Sequence, residues 1–209
     1  MKDLVLEYKK KKYIIKERLK DFSRFKESCD KELFSELCFC LLTPQSKATV
    51  CDNAIKELKN TGHLFKGNKQ TIKSKLRGVR FPNNKTDYLL CARRLFKIKK
   101  IFDVKNKINS YDIPKTREWL VKHVKGMGYK EASHFLRNIG LGEDVAILDT
   151  HILKNLKKIG IIKNIPKSMT KKQYFDIENR MRRFSKKINI PLNELDLLFW
   201  SKETGFVFK

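Results

Sequence analysis

The chain has 209 residues, 41% of them hydrophobic, so it can bury a core and is not expected to be disordered. Its formal net charge of +25 favours a nucleic acid partner, because a basic protein releases counterions from phosphates when it binds; an acidic membrane or a merely lysine-rich composition would explain the same charge. The sequence has no long apolar run and its N-terminal residues are charged throughout, which argues against a membrane span or a secretory signal.

Short amphipathic helices are predicted along the first half of the chain. Residues 1–29 are predicted to form a helix that packs back on the C-terminal part of the chain. Apolar residues at helical spacing predict a helix from Asp30 to Leu42, with Asp30 as its N-cap and Pro44 as the residue that stops it. The same spacing predicts a helix from Asn83 to Phe96.

Two helices joined by a tight turn are predicted in the second half of the chain. Residues 117–124 and 129–139 carry helical apolar patterns, and Gly126-Met127-Gly128 lies between them. Glycine adopts positive φ without steric cost, so this stretch favours a turn. Two further helices follow, the first opening on the capping-box spacing Thr170-x-x-Gln173 and the second beginning after Pro191.

The turn and its flanks suggest contact with DNA. From Val124 to Ala132 the order is hydrophobic-x-Gly-hydrophobic-Gly-x-x-x-Ala, which resembles the helix-hairpin-helix of DNA-binding proteins. There the second helix presents backbone N–H groups to a phosphate. We therefore expect DNA contact at Gly126 and Gly128.

These elements predict an all-α fold, since no alternating strand pattern competes with the helices. We expect two helical subdomains that flank a DNA-binding cleft. A central subdomain would span residues 30–150, with the helix-hairpin-helix at about 117–139. A C-terminal subdomain would span 151–209, with the N-terminal helix of residues 1–29 packed on it.

The cysteines indicate a reducing compartment. They are odd in number and none follows residue 91: Cys29, Cys38, Cys40, Cys51 and Cys91. Their spacing fits neither a zinc site nor an iron–sulfur site, and such cysteines are typical of small core residues. We expect a soluble cytoplasmic protein that is associated with the nucleoid.

Lys130 and Asp149 are the candidates for chemistry. Lys130 directly follows the turn, and Asp149 lies 19 residues further on, before a helix predicted over residues 151–159. At the amino end of a helix and in a partly desolvated cleft, an ammonium group is disfavoured relative to the neutral amine that nucleophilic attack requires. A solvated lysine and a helix-capping aspartate would explain both residues without chemistry.

The stretch from Trp119 to Ile159 resembles the signature of the helix-hairpin-helix DNA glycosylase superfamily, whose catalytic lysine and aspartate correspond to Lys130 and Asp149. The endonuclease III and adenine glycosylase branches are disfavoured, because they typically carry four cysteines after the aspartate and this chain has none after Cys91.

The chain as a whole is similar to type-2 8-oxoguanine DNA glycosylases. The similarity is carried by Glu36–Thr43, by Lys130–Asn138, and by the ending Glu194–Trp200 with Thr204–Lys209. Pro44-Gln45 and Phe208 depart mildly from the family pattern.

This resemblance implies a bifunctional DNA glycosylase and AP lyase that excises 8-oxoguanine. Lys130 would attack C1′ of the flipped nucleotide and form a Schiff base, after which β-elimination nicks the strand. Asp149 would take up the amine proton or stabilise the sugar cation. No metal would be required, although the backbone carbonyls of Lys122, Val124 and Met127 could hold an optional structural Na⁺ or K⁺.

The resemblance also implies how the base is recognised. The terminal carboxylate of Lys209 would accept the N7–H that 8-oxoguanine has and guanine lacks, while Phe81 and Trp200 would sandwich the base. Gln45 would fill the gap in the duplex or contact the orphaned base, and His151 would contact phosphate. An ordinary core position is the alternative explanation for Phe81 and for Trp200.

Two other classes of function stay open at this point. The chain could be a glycosylase for another damaged base, or a non-catalytic DNA-binding module. The expected partner is double-stranded DNA that contains 8-oxoguanine. The expected state is a monomer, since one lesion presents one site.

Overall fold

Helices make up most of the structure. The computed structural model describes residues 2–207, and the side chains of residues 3–207. Its α-helices are α1 (Lys2–Phe25), α2 (Asp30–Leu42), α3 (Ala48–Asn60), α4 (His63–Lys66), α5 (Lys69–Lys75), α6 (Pro82–Phe96), α7 (Ile113–His123), α8 (Tyr129–Asn138), α9 (Thr150–Lys158), α10 (Lys171–Lys187) and α11 (Leu192–Thr204). The all-α prediction is confirmed. Within the described residues, no helix is both long enough and apolar enough to cross a membrane.

One small hairpin interrupts the helices. Strands β1 (Lys97–Ile98) and β2 (Ile101–Phe102) pair antiparallel between α6 and a 3-10 turn at Lys105–Lys107. Each strand has two residues, which is too short for an alternating apolar pattern. The sequence therefore gave no strand signal here.

Caps set where the helices begin. At α10 the predicted capping box is confirmed, since the side chains of Thr170 and Gln173 each accept the other's backbone N–H. At α5, Asn68 accepts the N–H of Thr71 at 2.9 Å. Each bond satisfies a backbone donor that the first turn of a helix leaves without a partner.

The predicted N-cap of α2 is wrong. Cys29 holds the cap position and makes no side-chain capping bond. The Asp30 carboxylate instead accepts the backbone N–H groups of Val104 and Lys105, at 2.6 and 2.8 Å. The sequence could not indicate this choice, because the two donors lie 74 and 75 residues away.

Residues 27–135 form one of two units in the chain, and α2 is its core. Every residue of α2 from Leu33 to Leu42 is buried. The ring of Phe34 lies 4.7 Å from that of Phe102, centroid to centroid. A helix that is buried on all sides has no polar face, which explains the nearly unbroken apolar sequence of α2.

Residues 1–26 and 136–209 form the other unit. Here α1 packs on α11, and the Tyr8 hydroxyl donates to Oε2 of Glu194 at 2.5 Å. Burial, and then this bond, raise the pKa of Tyr8. The division between the units falls within α8, earlier than the predicted boundary at residue 150. The reason is that residues after 135 contact this unit, as Gly140 contacts Phe22.

Candidate active site

The turn between α7 and α8 depends on Gly126. Its φ is +85°, and a Cβ at this position would lie 2.4 Å from Cδ2 of Tyr88 on α6. Gly128 differs from the prediction. It is not among the residues with positive φ, but a Cβ there would lie 3.0 Å from Oε2 of Glu131. One glycine therefore supplies the turn, and the other leaves room for a carboxylate.

Glu131 holds both the turn and the candidate nucleophile. Its Oε2 accepts the N–H of Gly128 at 3.1 Å, and its Oε1 lies 3.0 Å from Nζ of Lys130. Since Gly128 directly precedes α8, the first bond is the carboxylate half of a capping box. The Lys130 side chain is 24% exposed. The amine is thus fixed at the amino end of α8 and remains reachable from solvent.

A second lysine shares the surroundings of Lys130. Burial lowers the pKa of Lys85, and the charge of Lys130 adds to this shift. Burial also raises the pKa of the Cys51 thiol to about 11, although Lys85 and Lys130 both oppose the rise. Sequence analysis missed Lys85, because nothing in its local sequence indicates that a lysine of α6 is buried.

Asp149 caps α9. Its Oδ1 accepts the N–H of Ile152 at 2.8 Å, so the predicted capping position is confirmed. Its Oδ2 makes no hydrogen bond to the residues that the structure describes. Asp149 and Lys130 belong to different units, and each side chain is fixed by neighbours within its own unit.

Buried side chains hold the segment that leads to Asp149. The N–H of Ala146 donates to Oε1 of Glu178 at 2.8 Å, and the N–H of Ile147 donates to Oδ1 of Asp196 at 3.3 Å. An extended segment without a sheet partner must satisfy its backbone in another way. Here α10 and α11 supply the acceptors.

Asp196 adds a buried carboxyl group close to Asp149. Burial raises the pKa of Asp196 to about 7, with Arg137 opposing the rise and Asp149 adding to it. Sequence analysis did not single out Asp196. The available signal was a lone acid between Leu195 and Leu197, since a charge within an apolar stretch needs a buried partner.

Phe81 and Gln45 are exposed and share an unusual backbone conformation. Their φ angles are +57° and +56°, which is uncommon for residues other than glycine. Phe81 precedes α6 and is 52% exposed, with the Arg80 guanidinium 5.7 Å from its ring. A core position for Phe81 is therefore excluded.

Trp200 lies near the end of α11 and is half-buried. The chain turns at Gly205, where φ is +86°, and Phe206 then packs edge-on against Trp200 with ring centroids 5.5 Å apart. Lys209 and Phe208 lie outside the described residues.

His151 lies in the first turn of α9 and its side chain is 39% exposed. Its Nδ1 lies 4.0 Å from Oε2 of Glu203, whose Oε1 accepts from Nδ2 of Asn155 at 3.1 Å. The charged neighbour of His151 is therefore a carboxylate. This neighbour does not itself favour phosphate.

No metal cluster stands out in the described part of the chain, where no three His, Cys, Asp or Glu side chains could share an ion. The carbonyl groups predicted to hold a monovalent cation lie at the end of α7 and in the turn. Of these, Val124 O accepts the N–H of Met127 at 3.1 Å. A carbonyl oxygen has a second lone pair for a further contact.

Named relatives match the chain over nearly its whole length. A family model described as 8-oxoguanine DNA glycosylase matches residues 15–190. A Fusobacterium nucleatum protein named 8-oxoguanine DNA glycosylase/AP lyase is 45% identical over 205 residues, which cover 97% of this chain and 94% of the relative. A protein of the same name from Methanocaldococcus jannaschii is 41% identical over 202 residues, covering 95% and 93%.

Solved structures agree with these matches. The 8-oxoguanine DNA glycosylase of Thermotoga maritima superposes with a TM-score of 0.89 at 34% identity, covering 100% of this chain and 97% of that one. The 8-oxoguanine glycosylase/lyase of Methanocaldococcus jannaschii, in complex with a 15mer DNA containing 8-oxoguanine, gives 0.89 at 36% identity and covers both chains completely. The chain belongs to the 8-oxoguanine DNA glycosylase family.

Proposed function

We propose that this chain excises 8-oxoguanine from double-stranded DNA and then cleaves the strand, as a combined glycosylase and AP lyase. The observation that carries the proposal is the position of Lys130, an amine in the first turn of α8 directly after the hairpin turn, in a chain of this family. The two relatives from Fusobacterium nucleatum and Methanocaldococcus jannaschii are named for both activities. The net charge of +25 supplies attraction to the phosphate backbone.

Lys130 supplies the nucleophile. The lone pair on Nζ forms a bond to C1′, while the C1′–N9 bond breaks and its electron pair leaves with the base, which takes up a proton. The attached amine then loses one proton, and its lone pair breaks the C1′–O4′ bond as O4′ takes up a proton, which leaves a protonated imine between Nζ and C1′, the Schiff base. Loss of a proton from C2′ then expels the 3′ phosphate and nicks the strand. Glu131, 3.0 Å from Nζ, orients the amine.

Asp149 stabilises the positive charge that develops on the sugar as the base leaves. Its Oδ1 is held by the N–H of Ile152, which fixes the carboxylate, and Oδ2 would then stabilise the sugar cation or take up the amine proton. A charge that is oriented before the reaction costs no reorganisation during it.

The base is recognised after it has left the duplex. We assign its two faces to Phe81, which is exposed, and to Trp200, which is half-buried. Stacking of this kind contributes about 1–3 kcal/mol per base. The carboxylate of Lys209 would accept the N7–H of 8-oxoguanine. Deleting Lys209 should then weaken discrimination against guanine and leave the lyase reaction intact.

The remaining contacts are with the duplex. Gln45, exposed on its loop, would fill the gap that the flipped nucleotide leaves or contact the orphaned base. A phosphate would bind at the turn of Gly126 and Gly128, by the amino end of α8, and another at His151.

The chemistry proposed here uses amine and carboxyl groups and no cofactor. An optional Na⁺ or K⁺ on the carbonyls of Lys122, Val124 and Met127 would brace the hairpin. We propose a monomer that acts in the cytoplasm at the nucleoid.

Borohydride trapping tests the proposal. Wild type and Lys130→Gln are incubated with a duplex that contains one 8-oxoguanine, in the presence of borohydride, and separated on a denaturing gel. We expect a covalent band with wild type alone, and none with undamaged guanine. A band on an abasic-site duplex but not on 8-oxoguanine would indicate another damaged base. No band on either duplex would leave a non-catalytic DNA-binding module.

A further inference from the structure

Gln45 and Phe81 both hold a strained backbone at exposed positions. A non-glycine residue in the left-handed region keeps that conformation only when the surrounding structure enforces it. Both residues have positive φ, and they lie on separate loops, one after α2 and the other before α6. Some shared contact is therefore expected to hold these two loops.

Ser46 joins the loops directly. Its hydroxyl oxygen accepts the backbone N–H of Arg80 at 3.0 Å and the ammonium of Lys85 at 2.9 Å. Ser46 follows Gln45, and Arg80 precedes Phe81. The residue next to one strained position thus bonds to the residue next to the other.

Lys85 bonds to both sides of Gln45 and to Phe81 itself. Its ammonium donates to Pro44 O at 2.7 Å, before Gln45, and to Ser46 Oγ, after it. A third bond, to Leu42 O at 2.5 Å, satisfies a carbonyl at the end of α2. The backbone N–H of Lys85 also donates to Phe81 O at 3.0 Å.

The ammonium is therefore fully used within the protein. Its three N–H groups have three acceptors, and Lys85 is 3% exposed. A buried lysine of this kind cannot bind a DNA phosphate, unlike the many exposed lysines of the chain. Its ammonium group instead bonds to the loop that carries Gln45.

We infer that Lys85 and Ser46 are positioning residues that fix Gln45 and Phe81 relative to each other. The inference rests on the proposed function, which assigns gap filling to Gln45 and base stacking to Phe81. Because one network holds both residues, a nucleotide that is displaced by Gln45 meets Phe81 at a set distance. Extrusion and capture of the base then depend on the same hydrogen bonds, which Lys85 and Ser46 make.

Two reactions distinguish this positioning role from a general effect on folding. Single-turnover excision of 8-oxoguanine requires a base to be extruded and stacked, whereas borohydride trapping on an abasic-site duplex requires Lys130 and Asp149 but no base. We expect Ser46→Ala and Lys85→Met to slow excision roughly ten- to hundredfold, because a small misplacement is costly, and to change trapping by no more than about threefold. Ser46→Thr keeps the hydroxyl and should excise like wild type.

Lys47→Met is the matched control, since it removes the same charge from an exposed residue beside Ser46. It should affect both reactions alike. If Lys85→Met fails to fold, Ser46→Ala decides. Equal loss of excision and trapping in Ser46→Ala, or unchanged excision, would overturn the inference.

Phe81→Ala gives an independent check. If Ser46 acts through Phe81, Ser46→Ala should slow excision much less in the Phe81→Ala background than in wild type. Additive effects would overturn the inference. If the wild-type protein neither excises 8-oxoguanine nor forms a trapped adduct, the proposed function itself is wrong. That result differs from every outcome described for the variants.

Discussion

Arg137 and Asp196 form an ion pair that is almost completely buried. Nη1 of Arg137 lies 3.1 Å from Oδ2 of Asp196, and the two side chains are 6% and 4% exposed. The other Asp196 oxygen accepts the N–H of Ile147, two residues before Asp149. The pair therefore connects the end of α8 to the segment that carries the candidate acid.

We expect Arg137→Met to lower the free energy of unfolding by about 3–5 kcal/mol at pH 8, since it leaves a buried carboxylate without a counter-charge. The loss should be smaller at pH 5, where Asp196 is protonated. Urea unfolding at both pH values measures it. Arg180→Met removes an exposed pair with Asp176 and should cost no more than about 1 kcal/mol. An equal loss at the two pH values would contradict the first expectation.

The raised pKa of Asp196 makes stability depend on pH. In the unfolded chain an aspartate titrates near 3.9, whereas in the fold Asp196 titrates at about 7. Between these values the folded state binds a proton that the unfolded state does not, so the free energy of unfolding should fall as pH rises from about 4 to about 7. Asp196→Asn cannot ionise and should lose this dependence. Unfolding curves of the two proteins across this range provide the test, and parallel profiles would count against it.

Gly126 and Gly160 allow a matched test of the hairpin turn. Both have positive φ, but a Cβ at Gly160 would meet nothing within 4 Å, whereas one at Gly126 would overlap the Tyr88 ring. We expect Gly126→Ala to destabilise the protein by about 1–3 kcal/mol more than Gly160→Ala does. In a Tyr88→Ala background this difference should shrink. If the two alanine variants unfold alike, the ring does not restrict the turn.

The two roles of Asp149, as a helix cap and as a negative charge, can be tested separately. Asparagine caps a helix nearly as well as aspartate, whereas alanine costs about 1 kcal/mol. Asp149→Asn should therefore keep wild-type stability and lose excision and Schiff-base trapping, while Asp149→Ala should lose activity and stability together. Thermal unfolding beside the trapping assay measures both. An active Asp149→Asn enzyme would show that the carboxylate serves only the helix.

The sequence predicted the parts of the site that depend on local pattern. The turn at Gly126, the capping box at Thr170 and the cap at Asp149 each follow from residues within a few positions of one another. Helix ends were less accurate: α7 begins at Ile113, whereas its apolar pattern indicated a start at Arg117.

The supporting contacts could not be read from the sequence, because each joins distant segments. Asp30 pairs with a loop more than seventy residues away, and Lys85 bonds to carbonyls 41 and 43 residues before it. Asp196 supports a backbone segment 49 residues before it. The chain has 48 lysines and arginines, and its composition does not tell a buried lysine from a solvated one.

Helix α1 is synthesised before residues 27–135 and α11 after them, yet these two helices pack on each other. Residues 27–135 form a unit of their own and are complete well before α11 is made. Because units of a chain fold as they emerge, we expect this middle unit to fold while α1 still lacks its partner. During that interval the apolar residues of α1 that the fold buries, with Ile15 and Phe22 among them, stay exposed to water.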